Sequence, residues 1–417
     1  MFNSISNFND GPKPQRLRFL TNNSDFIVMS IIFIMLTLFK YNLFSFETYD
    51  YKNFLVYWYE YLTKYGFASF KDSFYNYTPA YIYLLYIGTL FNLPSLFAVK
   101  LISLIFDISL AFAVSSIVGL KYKKNEFIQY LAFLITYTFP SLLVNSSLWG
   151  QCDCIWASFI LWALYYAMIN KNYTSFFMFG IAFSFKLQAI FVLPLFLFLL
   201  VSKYYKIKEV LNGIMIFFGT FFATLLPALF AGRPLLSPKV EGINVEGLLN
   251  IYVNQTQYSN TLVNGATPNF YAWTSSFKYN LFYPAGVILT AAVIIILLIN
   301  FKKLNMTRDS IQSEIITLAL IFNTVFVFFS PKMHERYFFL SEFLALIYIF
   351  YKPKNWLASV AIILPSFFGQ WRGISGDFQM PFLFEYQWGT LFVLSAIVYI
   401  TYDFIKDSTP KFIIKNF

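Results

Sequence analysis

Apolar residues run along this chain in blocks of about 20, the length a helix needs to cross a bilayer. Short clusters of charges, amides and aromatics separate the blocks. The pattern predicts membrane helices at roughly 26–44, 94–120, 126–144, 154–169, 173–188, 189–202, 209–231, 282–300, 312–330, 337–351, 355–369 and 387–404. That is an all-α polytopic membrane bundle of about 12 spans. Two stretches, 45–93 and 232–281, are too polar to belong to the series and read as long loops, the first with juxtamembrane helices. Residues 1–25 and 405–417 read as tails around a transmembrane domain at 26–404. The first 25 residues lack an apolar core, so no cleavable signal peptide is expected and the first block stays as a membrane helix.

Charge sets the orientation. With the N-terminus inside, the cytoplasmic segments collect Lys13, Arg16 and Arg18, then Lys121, Lys123, Lys124, Lys171, Lys203, Lys206 and Lys208. Lys302, Lys303, Arg308, Lys352, Lys354, Lys406, Lys411 and Lys415 continue the set, as the positive-inside rule asks. This parity requires Tyr81–Phe91 to be a short juxtamembrane or re-entrant helix rather than a span. Both long loops then share the extracytoplasmic side with the motifs Asn145–Asp153, Lys332–Arg336 and Gly369–Gln387, and with Lys186 and Gln188.

A composition 58% hydrophobic and 12% charged, with a mean hydropathy of +0.60, excludes a soluble globule. The net charge of +10 is accounted for by basic cytoplasmic loops, so no nucleic-acid partner is expected. Cys152 and Cys154 are too close for a relaxed disulfide and too few for a metal site. With one histidine in the chain and no glycine-rich phosphate loop, neither a metal nor a cofactor is expected.

Several clusters carry chemistry. Lys332-Met333-His334-Glu335-Arg336 joins two permanent cations, an imidazole and a carboxylate between apolar blocks. Arg336 offers a phosphate a bidentate fork, and His334 a hydrogen bond or a proton. The plainer reading, a basic juxtamembrane loop, is weakened by the charge bias that puts this loop outside. Asp50, just beyond the first block, is placed to act as a general base or to cap the following helix. In Asn145–Asp153, the groups of Trp149, Gln151 and Asp153 suit a sugar, or form an ordinary polar turn with an interfacial Trp. Lys186, with Gln188 two residues on, either faces a phosphate or snorkels to the interface. Asn254-Gln255-Thr256-Gln257-Tyr258 and Pro268–Trp273 suit carbohydrate recognition, or pack over the bundle.

These elements, in this order, resemble those of GT-C-fold glycosyltransferases that use polyprenyl-phosphate sugars, related to the glucosyltransferases of N-glycan precursor assembly. The likeness rests on Asp50-Tyr51 with Trp58-Tyr59-Glu60, on Asn76-Tyr77-Thr78-Pro79, on Phe185-Lys186-Leu187-Gln188 and on His334-Glu335-Arg336. It covers about residues 26–350. Bacterial membrane mannosyltransferase-like proteins with Trp-Gly-Gln-x-Asp and His-Glu-Arg-Tyr-Phe are similar too. Asn76 stands where that pattern has an aspartate, which leaves the acceptor open.

The resemblance implies a hexosyltransferase in a bacterial inner membrane, taking glucose or mannose from a lipid phosphate to a glycan or lipid-linked acceptor. Asp50 would be the base. Lys186, Lys332, His334 and Arg336 would bind the donor phosphate, and Tyr77, Trp149, Gln151, Asp153, Gln188 and Glu335 the sugars. The rivals are a flippase or transporter of a lipid-linked saccharide, with polar groups lining a path across the bilayer, and an O-antigen polymerase or ligase, dependent on outer-loop arginines.

Overall fold

The computed structural model describes residues 15–237, 245–255, 260–274, 278–375 and 385–409. Thr256, Gln257 and Tyr258 of the amide-rich loop and residues 376–384 of the 369–387 motif lie outside them. The chain divides after Leu43. The first unit contributes the helix Gln15–Asn42, and the rest of the described chain belongs to the second.

The protein is an all-α polytopic membrane protein. Among the described residues seven helices are long and apolar enough to cross a bilayer: Phe26–Ser45, Ser95–Lys121, Ile207–Phe230, Tyr279–Lys303, Arg308–Phe329, Pro353–Ser375 and Tyr386–Ser408. Glu126–Tyr137 and Pro140–Trp149, bent by 42°, make an eighth if counted as one span. Four other expected spans coincide with shorter helices: Asp153–Met168, Asn172–Phe185, Leu193–Val201 and Phe339–Tyr351. The longest of these has 16 residues, which at 1.5 Å each covers about 24 Å of a hydrocarbon core about 30 Å thick. Length and composition therefore support seven or eight crossings. Pro79–Leu90 has 12 residues and is likewise short.

Arg308–Phe329 is the central helix, with 78% of its apolar window buried, whereas Tyr279–Lys303 has 17% buried and turns Ile288, Ile296 and Ile299 outward. Exposed apolar residues of this kind are what a lipid-facing helix requires.

Two local features place the site. Pro140 cannot continue the preceding helix, and the chain restarts there at an angle, then widens into a π-helical turn over Leu143–Trp149. Asn145–Trp149, expected in a loop, thus belong to a buried helix end. Gly150 closes it with φ 75°, and a Cβ there would press on Val99 and Lys100. The second feature is a short parallel pairing of Val263–Asn264 with Met333–His334. It is anchored by the Lys332 amide donating to Leu262 O at 2.7 Å, and it ties the 232–281 segment to the Lys332–Arg336 cluster.

Candidate active site

Every residue given a catalytic, phosphate-binding or sugar-binding role above, except Asp153, lines one cavity of about 1210 Å³, as do Asn254 and Gln255 but not Pro268–Trp273. Chain segments far apart in sequence meet there, among them Thr48–Asp50, Asn76–Tyr77, Trp149–Cys152, Phe185–Gln188 and Ser330–Tyr337.

Asp50 does not cap a helix. It has helical dihedrals ahead of the turn Tyr51–Leu55 and makes no side-chain capping bond. Its Oδ2 instead accepts hydrogen bonds from Trp149 Nε1 at 2.9 Å and Gln151 Nε2 at 2.5 Å. Thr48 Oγ1 donates to the Trp149 carbonyl at 3.0 Å, fixing the two segments together. The carboxylate is held by neutral donors through one oxygen and keeps its other oxygen for a ligand, an arrangement suited to accepting a proton.

Asp153, expected to contact sugar, is not on the cavity wall. It is 1% exposed and anchors the wall from behind. Lys186 Nζ approaches Oδ1 at 2.5 Å and Arg336 NH1 approaches Oδ2 at 3.2 Å. Trp156 Nε1 donates to Oδ1 at 3.1 Å and Asn145 Nδ2 to Oδ2 at 3.0 Å. Burial alone would raise its pKa, but Lys186 and Arg336 outweigh burial and hold the carboxyl well below the ordinary carboxylate range. Lys186 therefore does not snorkel. Two cations share one carboxylate, so the wall keeps one net positive charge.

Arg336 also donates to Gln151 Oε1 at 2.6 Å and stacks over Trp149 at 5.1 Å from the ring centroid. Through Gln151 it is one residue removed from Asp50. Tyr77 OH donates to the same Gln151 Oε1 at 3.2 Å, beneath Lys186, whose Nζ is 5.5 Å from the ring centroid. Desolvation pushes the Tyr77 hydroxyl above its usual range by more than Lys186 and Arg336 draw it down, so it stays a neutral donor.

His334 Nδ1 lies 2.8 Å from Glu335 Oε2, close in distance but without hydrogen-bond alignment. Glu335 is buried against Gly265 and Gly373; a Cβ at either would stand within 2.7 Å of a carboxylate oxygen. Lys332, with φ 65°, places its ammonium 5.2 Å from the Tyr279 ring centroid and 5.1 Å from that of Tyr283. Two further buried polar atoms, Arg336 Nε and Gln188 Oε1, have no partner among the described residues. Such atoms are costly unless a ligand or water satisfies them.

Sequence reasoning missed three supporting side chains. Lys100 donates to the carbonyls of Phe46 at 3.1 Å, Ser147 at 2.7 Å and Leu148 at 2.6 Å, closing the π-helical turn. Asp107 accepts from Ser146 Oγ at 2.6 Å. Glu342 accepts from Gln370 Nε2 at 2.7 Å, and Gln370 Oε1 accepts from Asn145. Each is an ionisable residue inside an apolar block, Lys100 and Asp107 in the same one, and that is the signal that could have found them. Among the described residues no group of three His, Cys, Asp or Glu is placed to hold a metal.

Compared with known protein families the chain matches no family model, and it matches none of the curated proteins.

Proposed function

We propose that this protein is an inverting membrane glycosyltransferase. It moves a hexose, glucose or mannose, from a polyprenyl-phosphate-sugar to a glycan or lipid-linked acceptor on the extracytoplasmic side of a bacterial inner membrane. One observation carries this reading: a single cavity joins a basic end, a carboxylate and an apolar flank. Lys186, Lys332, His334 and Arg336 form the basic end, and Asp50 faces the same space. The flank is made by Leu193 and Leu197 with Tyr283, Val287, Ile294 and Leu298. Along Tyr279–Lys303 the lining runs from Tyr283 to Leu298, about 22 Å at 1.5 Å per residue. A ligand with an anionic head and a long hydrocarbon tail suits these surfaces.

In the proposed reaction an acceptor hydroxyl oxygen bonds to the anomeric carbon while the bond from that carbon to the phosphate oxygen breaks. The leaving oxygen keeps the electron pair, giving a lipid phosphate monoester. The hydroxyl proton passes to Asp50, which acts as the alcohol becomes acidic during bond formation. Arg336, Lys186, Lys332 and His334 offset the charge that develops on the phosphate. A flippase would place polar groups along a path through the bilayer, and the transport assay below separates the two readings.

The test is transfer of radiolabel from polyprenyl-phosphate-glucose and, separately, polyprenyl-phosphate-mannose to lipid extracts, by purified protein in liposomes. Transfer from one donor supports the reading and names the sugar. Absence of transfer from either, with labelled lipid moved across the bilayer instead, would favour the flippase.

A further inference from the structure

One wall of the cavity is unlike the rest. Asn76, Gln188, Glu246, Asn254 and Gln255 all line it. The segments that carry them are stitched together: Thr78 Oγ1 donates to Phe185 O at 2.7 Å, Tyr252 OH to Ser184 O at 3.1 Å, and Gln255 Nε2 to Asn76 O at 3.3 Å. Asn254 Nδ2 donates to Glu246 Oε1 at 2.5 Å. Tyr77, next to Asn76, links this wall through Gln151 to Asp50.

The wall's hydrogen-bonding character is specific. Gln188 is 8% exposed and its Oε1 has no partner among the described residues, so it calls for a donor. Glu246 brings a carboxylate, a group of acceptors when ionised. The cation beside it, Arg233, is 1% exposed and already engaged: its NH2 stands 3.7 Å from Glu246 Oε2, and it donates to Asp72 O at 2.7 Å and Glu246 O at 2.9 Å, under the Tyr75 ring. A phosphate offers oxygens without protons and would meet a carboxylate and amide oxygens here. A sugar ring offers hydroxyl protons to Gln188 and Glu246, and hydroxyl oxygens to the amide nitrogens.

We propose that this amide wall is the acceptor subsite and that it takes the neutral saccharide end of the acceptor, discriminating against a phosphorylated or otherwise anionic one. The inference rests on the glycosyl-transfer reading and divides the cavity: the basic end for the donor phosphate, the amide wall for the sugar that presents its hydroxyl to Asp50.

The experiment is saturation-transfer NMR on the full chain in detergent, without donor. The probes are maltose, cellobiose and mannobiose against glucose 6-phosphate and mannose 6-phosphate. Neutral disaccharides are expected to bind at the amide wall; sugar phosphates go to the donor-free basic end, so changes in the amide wall are expected to weaken only disaccharide binding. Gln188→Leu, and separately Asn254→Ala/Gln255→Ala, whose side chains lie at the cavity rim, should weaken that binding by about tenfold, the loss of one or two hydrogen bonds. An unchanged unfolding midpoint in the rim variant separates loss of contact from loss of fold. Phosphate binding weakened by the two variants as much as disaccharide binding, no binding by any disaccharide, or undiminished disaccharide binding by both variants would overturn the proposal. Because no donor is present, saccharide binding in a protein that fails to transfer sugar would sink the transfer reading alone. Transfer to an anionic acceptor without disaccharide binding would sink only this subsite.

Discussion

Replacing Asp153 with Asn removes the single negative charge between two buried cations while nearly preserving shape. In the structure Lys186 and Arg336, with side chains 8% and 12% exposed, lie 2.5 and 3.2 Å from its two oxygens. Breaking a buried ion pair by removing one partner costs about 3–5 kcal/mol, because the other charge stays uncompensated. At about 1.4 kcal/mol per factor of ten, this lowers the folding constant by two to three powers of ten or more. Adding Lys186→Met to Asp153→Asn restores the wild-type net charge of the cluster. The double variant should therefore recover part of the loss, with a coupling of about 1 kcal/mol or more. Unfolding of the four proteins of this cycle, followed by tryptophan fluorescence in mixed micelles titrated with denaturing detergent, gives both quantities. An Asp153→Asn protein within about 0.5 kcal/mol of wild type, the range of an ordinary surface change, or strict additivity in the cycle, would refute the anchoring role.

Three further changes probe the wall. Arg336→Lys keeps a charge but loses the geometry that bridges Gln151 and Asp153 beside Trp149; donor turnover should fall by about 10²–10³, read as initial rate of label transfer. Gly373→Ala puts a Cβ 2.6 Å from the Trp149 ring and 2.7 Å from Glu335 Oε1; a strain of about 1–3 kcal/mol should lower the unfolding midpoint and shift the Trp emission, and an unaltered midpoint would count against the packing described. Lys100→Met strips the donor from three carbonyls, and at about 1–3 kcal/mol for each buried acceptor left unsatisfied it should be among the most destabilising single changes in a thermal melt.

The cavity was legible in sequence to the extent that its chemistry was local. Lys332–Arg336 announces itself by polarity between apolar blocks, and Asp50 and Lys186 by their position at block ends. What sequence could not supply was partnership. Asp153 finds Lys186 33 residues away and Arg336 183 residues away, and no local spacing encodes either contact. The same holds for Asp50: as a helix-entry residue it reads equally as a cap, and only the approach of Trp149 and Gln151, 99 and 101 residues on, distinguishes the roles. Span counting met a related limit. Hydropathy registers burial among other helices as readily as burial in lipid, so a short, mostly buried helix such as Asp153–Met168 carries the same signal as the long ones. Lys100 was hidden by the opposite effect, since one lysine barely lowers the mean hydropathy of a 27-residue helix.

The most direct test of the central claim compares wild type, Asp50→Asn and Asp50→Glu for transfer from the active lipid-phosphate sugar, with donor binding measured alongside. If Asp50 is the base, Asp50→Asn should bind donor as wild type does yet transfer about 10²–10⁴-fold more slowly, with Asp50→Glu in between. The transferred sugar should also carry the anomeric configuration opposite to that of the donor. Full activity in Asp50→Asn, or a product that retains the donor's configuration, would contradict the account.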